Sequence, residues 1–123
     1  MAGSIAVTET LLGGSIVKYA VQWTADGSGN LNASTFDIGR GRIWGIKFVP
    51  GTPAPTTGHT VKLLDPDGAD LLSNAGASVS GTAATFGTLL AQLQFVEGFA
   101  AITPTVTGAG ALAQATLTVI VGP

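Results

Sequence analysis

Residues 64–72 read LDPDGADLL, and Asp65, Asp67 and Asp70 place three carboxylates within six positions, a density at which a chain can offer oxygen ligands to a divalent cation. A calcium loop of the EF-hand type needs D-x-[DN]-x-[DN]-G followed by a glutamate at its twelfth position. Here Gly68 comes two positions early, and the twelfth residue counted from Asp65 is Gly76. Turn chemistry fits the same residues better. Pro66 presets the first corner, Gly68 accepts a positive φ, and the aspartate side chains bond nearby backbone amides. The stretch is therefore expected to be a structural turn, with no metal ligand and no cofactor assigned.

His59 is the chain's one histidine, so a Ser-His-Asp arrangement or a histidine-based metal site has a single candidate imidazole. It follows a proline-rich stretch and Gly58, which predicts a solvated loop side chain rather than a catalytic base. The serines include no G-x-S-x-G; the nearest spacing, GASVSG at 76–81, lacks the second glycine in place. GSGN at 27–30 and GRGRIWG at 39–45 match neither the dinucleotide fingerprint nor the P-loop, and neither opens a helix able to hold a phosphate. Glu9 with Glu97, or Asp26 with Asp37, would be the acid pairs of a glycosidase, yet no acid lies in a motif. No catalytic residue is assigned, and the chain is expected not to be an enzyme. Trp23 and Trp44 are the candidates for stacking on a sugar ring. They fall in phase with Tyr19 and Val21, and with Ile46 and Phe48, which predicts core packing for both.

The elements that position these residues follow from composition and periodicity. A chain of 123 residues without cysteine makes one domain held by packing alone, and a domain of this size buries roughly two-thirds of the surface its unfolded chain exposes. The start, MAGSIAVTETLLGGS, lacks the basic region of a signal peptide, and no apolar run approaches the roughly 18 residues of a membrane helix. No membrane association is expected. Five basic residues, with only Arg40 and Arg42 close together, are too few for a nucleic-acid footprint. Charged residues make up 10% of the chain against the roughly 25% of ordinary domains. On the roughly 6,000 Å² expected for this mass, that density leaves much surface without charge. Either partners or further copies cover part of it, or Thr, Ser, Gly and Ala keep it soluble.

Eighteen glycines and six prolines punctuate segments rich in Val, Ile, Thr and aromatics with a period of two. Val17, Tyr19, Val21 and Trp23 define one face of a strand. Strands are predicted over 31–38 and 42–49, the latter central because both of its faces are apolar. Pro50 to His59 reads as a surface loop, Val61 to Leu64 as a short strand, Asp70 to Leu72 as a brief strand or a single helical turn, and 73–82 as a second loop. Further strands are expected between 83 and 106, and a last one over 112–121 with Leu117, Val119 and Val121 on one face. TLLAQLQF, 88–95, has good helix formers but is short and uncapped. The expected fold class is all-β, a single-domain β-sandwich (jelly-roll or immunoglobulin-like) of about seven to nine short antiparallel strands. It spans residues 1–123, with 1–14 as an N-terminal strand or arm.

The order VKYAVQWTADGSGN, GRIWGIKFVPGTPAPT, HTVKLLDPDGADLLSNAGA and ITPTVTGAGALAQATLTVIV resembles a family of small all-β virion proteins of tailed bacteriophages. The shared pieces are a W-T-x-D-x-x-G hairpin, a strand ending in V-P before a proline-rich loop, a V-x-L-x-D-x-D-G-x-D-L-L segment, an N-A-G or G-A-N loop and a final hairpin on T-x-T-V with small residues. The resemblance spans about residues 17–121. It implies a non-enzymatic capsid decoration or cement protein that binds the major capsid protein and copies of itself, as a homotrimer, on the capsid surface after assembly in the host cytoplasm. The alternative is a tail or fibre component, including a host-glycan-binding module that uses loops 50–59 and 73–82. The chain departs from the pattern in its very low charge count and in ending VIVGP without a basic residue.

Overall fold

In β2 (Ile16–Thr24) alternate side chains face opposite ways, so Tyr19, Val21 and Trp23 are buried while Gln22 is exposed between them. The computed structural model describes residues 3–32, 34–39, 41–72, 75–86, 95–96 and 100–123, with residues 95, 96 and 100 described by their backbone. Residues 88–94 of the TLLAQLQF stretch, together with Glu97 and Arg40, lie outside the described residues. The chain is an all-β sandwich of two antiparallel sheets.

The larger sheet runs β1-β2-β9-β4, with β6 (Thr85–Phe86) and β7 (Phe95–Val96) both pairing with β4 (Gly41–Pro50). Its middle strand, β9 (Gln114–Gly122), pairs with β2 on one side and β4 on the other. The registers set apolar side chains in rows across all three strands: Tyr19, Val119 and Ile46 in one, Val21, Leu117 and Phe48 in the next. Those six residues are buried. Residues 1–14 resolve into a strand, β1 (Ser4–Gly13), paired with β2 along its length up to a bulge between Leu11 and Gly13.

The smaller sheet runs β3-β8-β5, with β3 over Phe36–Ile38, β5 over Thr60–Leu64 and β8 over Ala100–Thr107. Its Ile38, Val61, Leu63, Ile102 and Val106 join the rows of the larger sheet in one buried cluster. Pro104 sits inside β8, the central strand, where a missing N–H normally breaks a ladder. Val106 N–H donates to Leu31, so the nitrogen two residues earlier points to the same side, where the pairings among the described residues are Leu31 with Val106 and Phe36 with Ile102. The expected strand over 31–38 is corrected: among the described residues it is one bridge at Leu31 and a three-residue strand.

Two further expectations change. The W-T-x-D-x-x-G segment and the GAG segment were expected to close hairpins. Both instead carry the chain from one sheet to the other, since β2 and β9 lie in the large sheet while Leu31 and β8 pair in the small one. The two crossings bond to each other: Ala25 N–H to Ala113 O at 2.8 Å, Ala109 N–H to Gly29 O at 3.0 Å and Leu112 N–H to Asp26 O at 3.0 Å. Gly29 (φ 82°) is needed here because a β-carbon would lie 2.5 Å from the Gly110 nitrogen.

Trp44 is the second correction. It was expected in phase with Ile46 and Phe48, but Ile43 pairs with Val121 and Gly45 with Ile120, so Trp44 is the extra residue of a bulge. The bulge resets the alternation: Ile43, Ile46 and Phe48 are buried and Trp44 is 49% exposed, its Nε1–H reaching Pro123 O at 3.3 Å. Trp23→Ala should therefore cost about 3–5 kcal/mol, the range for emptying a core aromatic site, and Trp44→Ala about 1 kcal/mol. Urea unfolding of the two variants checks this; equal losses would contradict the bulge.

Candidate functional site

The aspartate stretch is built as turn chemistry dictates. Asp65 Oδ1 accepts from Asp67 N–H at 3.0 Å and Ala69 N–H at 2.9 Å, and Gly68 N–H closes the turn onto Asp65 O at 2.9 Å with φ at 86°. Asp70 turns the other way, with Oδ1 accepting from Leu63 N–H at 3.1 Å and Leu72 N–H at 3.0 Å. Asp70 itself bridges to Leu64, and Leu71 and Leu72 follow as a buried turn. The Asp65 and Asp70 carboxylates thus accept from backbone amides of the loop and of β5, and among the described residues no three His, Asp or Glu side chains gather where they could hold a metal ion.

Asp26 Oδ1 accepts from Ser28 N–H at 2.8 Å and Asn30 N–H at 3.0 Å, and these amides, Asn30 first, hold its carboxyl below the ordinary range. Asp37 is exposed in β3 and Glu9 is exposed in β1. Asp26 belongs to the crossing after β2 and Asp37 to β3, while Glu97, the expected partner of Glu9, lies outside the described residues.

Loop 50–59 and the described part of the second loop, residues 75–82, bond to each other. Gly58 N–H donates to Val79 O at 2.8 Å and Val79 N–H to His59 O at 2.9 Å, an antiparallel bridge between the two loops. Gly81 N–H adds a bond to Thr57 Oγ1 at 3.0 Å, and a β-carbon at Gly81 would collide with the Pro55 carbonyl. Thr56 N–H reaches Ala109 O, and Gln114 N–H reaches Pro53 O across the cis Thr52–Pro53 loop. Loop 50–59 is thereby tied to loop 73–82, to the sheet crossing and to the start of β9.

This closure overturns the solvated placement expected for His59. The residue is 3% exposed, its ring 5.9 Å from that of Trp23 at a 58° tilt. Its Nδ1 lies 2.7 Å from Thr56 O, and a carbonyl only accepts, so Nδ1 carries the proton. Burial pushes the imidazole below the usual histidine range, against the opposing pull of Thr56 O. Beside the ring is a small crevice lined by Trp23, Phe48, Val61, Val79 and Thr116 among others. The signal was in the sequence: His59, Val61 and Leu63 share one parity, and all three are buried.

A second concavity of about 100 Å³ lies on the outer face of the large sheet. Gly45 lacks a side chain there, and Lys18, Lys47, Phe86, Thr118 and Ile120 surround the gap. Phe86 is exposed at its edge. Among the described residues it offers an apolar floor with two ammonium groups and the Thr118 hydroxyl. What fold and sites define together is a β-sandwich in which Asp26, Asp65, Asp70, Thr57 and His59 bond into turns and loop closure. No family model, curated protein or solved structure matches the chain.

Two expectations follow. Because burial lowers the folded-state affinity of His59 for a proton, the unfolded chain binds the proton first as pH falls. Stability should be full above roughly pH 7 and decline on acidification through the histidine range, and His59→Gln should flatten that slope in thermal melts. Asp65→Ala, which strands two amides at an exposed turn, should cost about 1 kcal/mol, whereas Asp65→Asn keeps an acceptor and should cost less. Adding a chelator should leave the melting temperature of the wild type unchanged; a drop absent in an Asp65→Asn/Asp67→Asn variant would establish a calcium site.

Proposed function

We propose that the chain is a non-enzymatic structural protein of a tailed-bacteriophage particle, a capsid decoration or cement protein that binds the major capsid protein and stabilises the coat shell from its outer surface. The observation that carries this reading is the nature of the surface. Twelve charged side chains on 6198 Å² leave about one per 500 Å², while Leu11, Leu12, Trp44, Phe86 and Leu112 stand exposed. Such a surface is suited to being covered in an assembly, by coat protein and by copies of the chain itself. The ordered motifs that resemble phage virion proteins supply the particle, and the engagement of Asp26, Asp65, Asp70 and His59 in turns and core supports a role without catalysis.

A second reading, a tail or fibre module that binds a host glycan, is favoured by Trp44 alone, a half-exposed indole on the sheet surface. The two separate experimentally. The purified full chain should bind saturably to coat shells that lack it, and apolar contacts should hold occupancy within about twofold as salt rises from low to moderate levels, since screening acts on charges. Absence of shell binding, combined with binding to a surface polysaccharide that Trp44→Ala abolishes, would overturn the capsid reading for the tail one.

A further inference from the structure

The edges of the two sheets are treated very differently. On the small sheet β3 is three residues long with Asp37 exposed, and β5 is sealed by its own chain: Leu71 N–H bonds Leu63 O, Val61 N–H bonds Gly76 O, and Leu63 N–H bonds Asp70 Oδ1. On the far side of the large sheet, β6 and β7 are two residues each. Short, charged or covered edges are the usual defences against edge-to-edge pairing. β1 has none of them along most of its length. It is ten residues, SIAVTETLLG, with no lysine, arginine or proline, a single glutamate, four β-branched side chains among Ile5, Val7, Thr8 and Thr10, and a bulge only at its last turn. Among the described residues it pairs with β2 and nothing else.

Its face is as unprotected as its edge. Ile5, Val7, Glu9 and Leu11 stand opposite Trp23, Val21, Tyr19 and Val17, so they share the core side of the sheet. The three-stranded sheet does not reach over them: Ile5 is half-buried, Val7 is exposed and Leu11 is 67% exposed. A ten-residue strand, about 33 Å long, thus presents an open ladder and an apolar overhang together.

We infer that β1 pairs antiparallel with β1 of a second copy across a two-fold axis, continuing the large sheet from one protomer into the next. Length selects this occupant, because no other open edge among the described strands can satisfy ten residues, whereas β1 against β1 closes both exposed edges at once. Register follows from charge and face. With Thr8 on the axis, nine residues of each strand overlap, Ile5 meets Leu11 of the partner and Val7 meets Glu9. The overhanging apolar side chains of both copies then lie on one side of the joined sheet, in the gap between the two small sheets. Centring one residue later would set the Glu9 carboxylates directly opposite each other; with Thr8 central they stand diagonally, about 7–8 Å apart. The contact is at the small end of specific interfaces, which predicts a reversible dimer with a dissociation constant on the order of micromolar. This two-fold takes the place of the threefold arrangement implied by the resemblance, and it does not depend on what the dimer binds.

Sedimentation of the full chain over a concentration series tests it. Wild type should show a monomer–dimer equilibrium. Thr8→Lys and Thr8→Glu each set like charges face to face on the axis and should weaken the dimer about fivefold. An equimolar mixture of the two should recover it, an outcome that a merely weakened strand would not produce. Leu11→Lys, at an exposed position that leaves the core untouched, should weaken it as well. A wild type that stays monomeric up to roughly a hundredfold above the micromolar range overturns the proposal. So does a trimer, and so do Thr8 variants that leave the equilibrium unmoved. If the monomer binds coat shells and Thr8→Lys abolishes that binding, the edge belongs to a coat-protein strand and the two-fold is wrong.

Discussion

The insertion of β9 between β2 and β4 is the constraint on which the rest of the structure depends. Residues 114–122 pair with residues 17–24 on one side and 42–50 on the other, so the two long early strands never touch in the sheet without the last one. Leu117 and Val119 occupy the middle of the apolar rows that this pairing creates, and both are fully buried. Closing such a sheet means bringing segments nearly a hundred residues apart together before their burial is rewarded, the cost that makes non-local β topologies slow to form.

The same pairing explains the unequal faces of the molecule. Among the described residues a sheet of six strands opposes one of three, and the smaller one packs on the face built by β2, β9 and β4. β1 lies past that cover, which is why a strand with Ile5, Val7 and Leu11 on its core side buries so little of itself. On the outer face, the bulge at Trp44 and the absent side chain of Gly45 open the depression between Lys18, Lys47 and Phe86. β1 thus leaves apolar side chains at the surface, and the depression combines an apolar floor with two lysines.

At the loop end, polar groups are used for closure. The backbone bonds joining loops 50–59 and 73–82 to each other and to the 108–113 crossing leave His59 beneath them, against Trp23. Holding the imidazole neutral there costs proton affinity, and one carbonyl, Thr56 O, orients it. A buried histidine whose Nδ1–H meets Thr56 O beside the Trp23 ring is a packing element with a pH-dependent cost.

Local chemistry alone determined much of this protein. The faces of β2, β5 and β9 follow from period-two alternation, and the turn at Asp65–Gly68 follows from Pro66, the aspartate acceptors and a glycine at positive φ, because each of these depends on neighbours a few residues away. Two misplacements also had local signals: Gly45 inside a strand marks the bulge that turned Trp44 outward, and the shared parity of His59, Val61 and Leu63 marks a buried histidine. What tertiary structure alone decided is which strands share a sheet. The segments after Trp23 and Val106 carry the same turn residues whether they close a hairpin or cross to the opposite sheet. The choice is made by β9 pairing with β2 and β4 and by β8 pairing with β5, contacts between distant segments that no local pattern encodes.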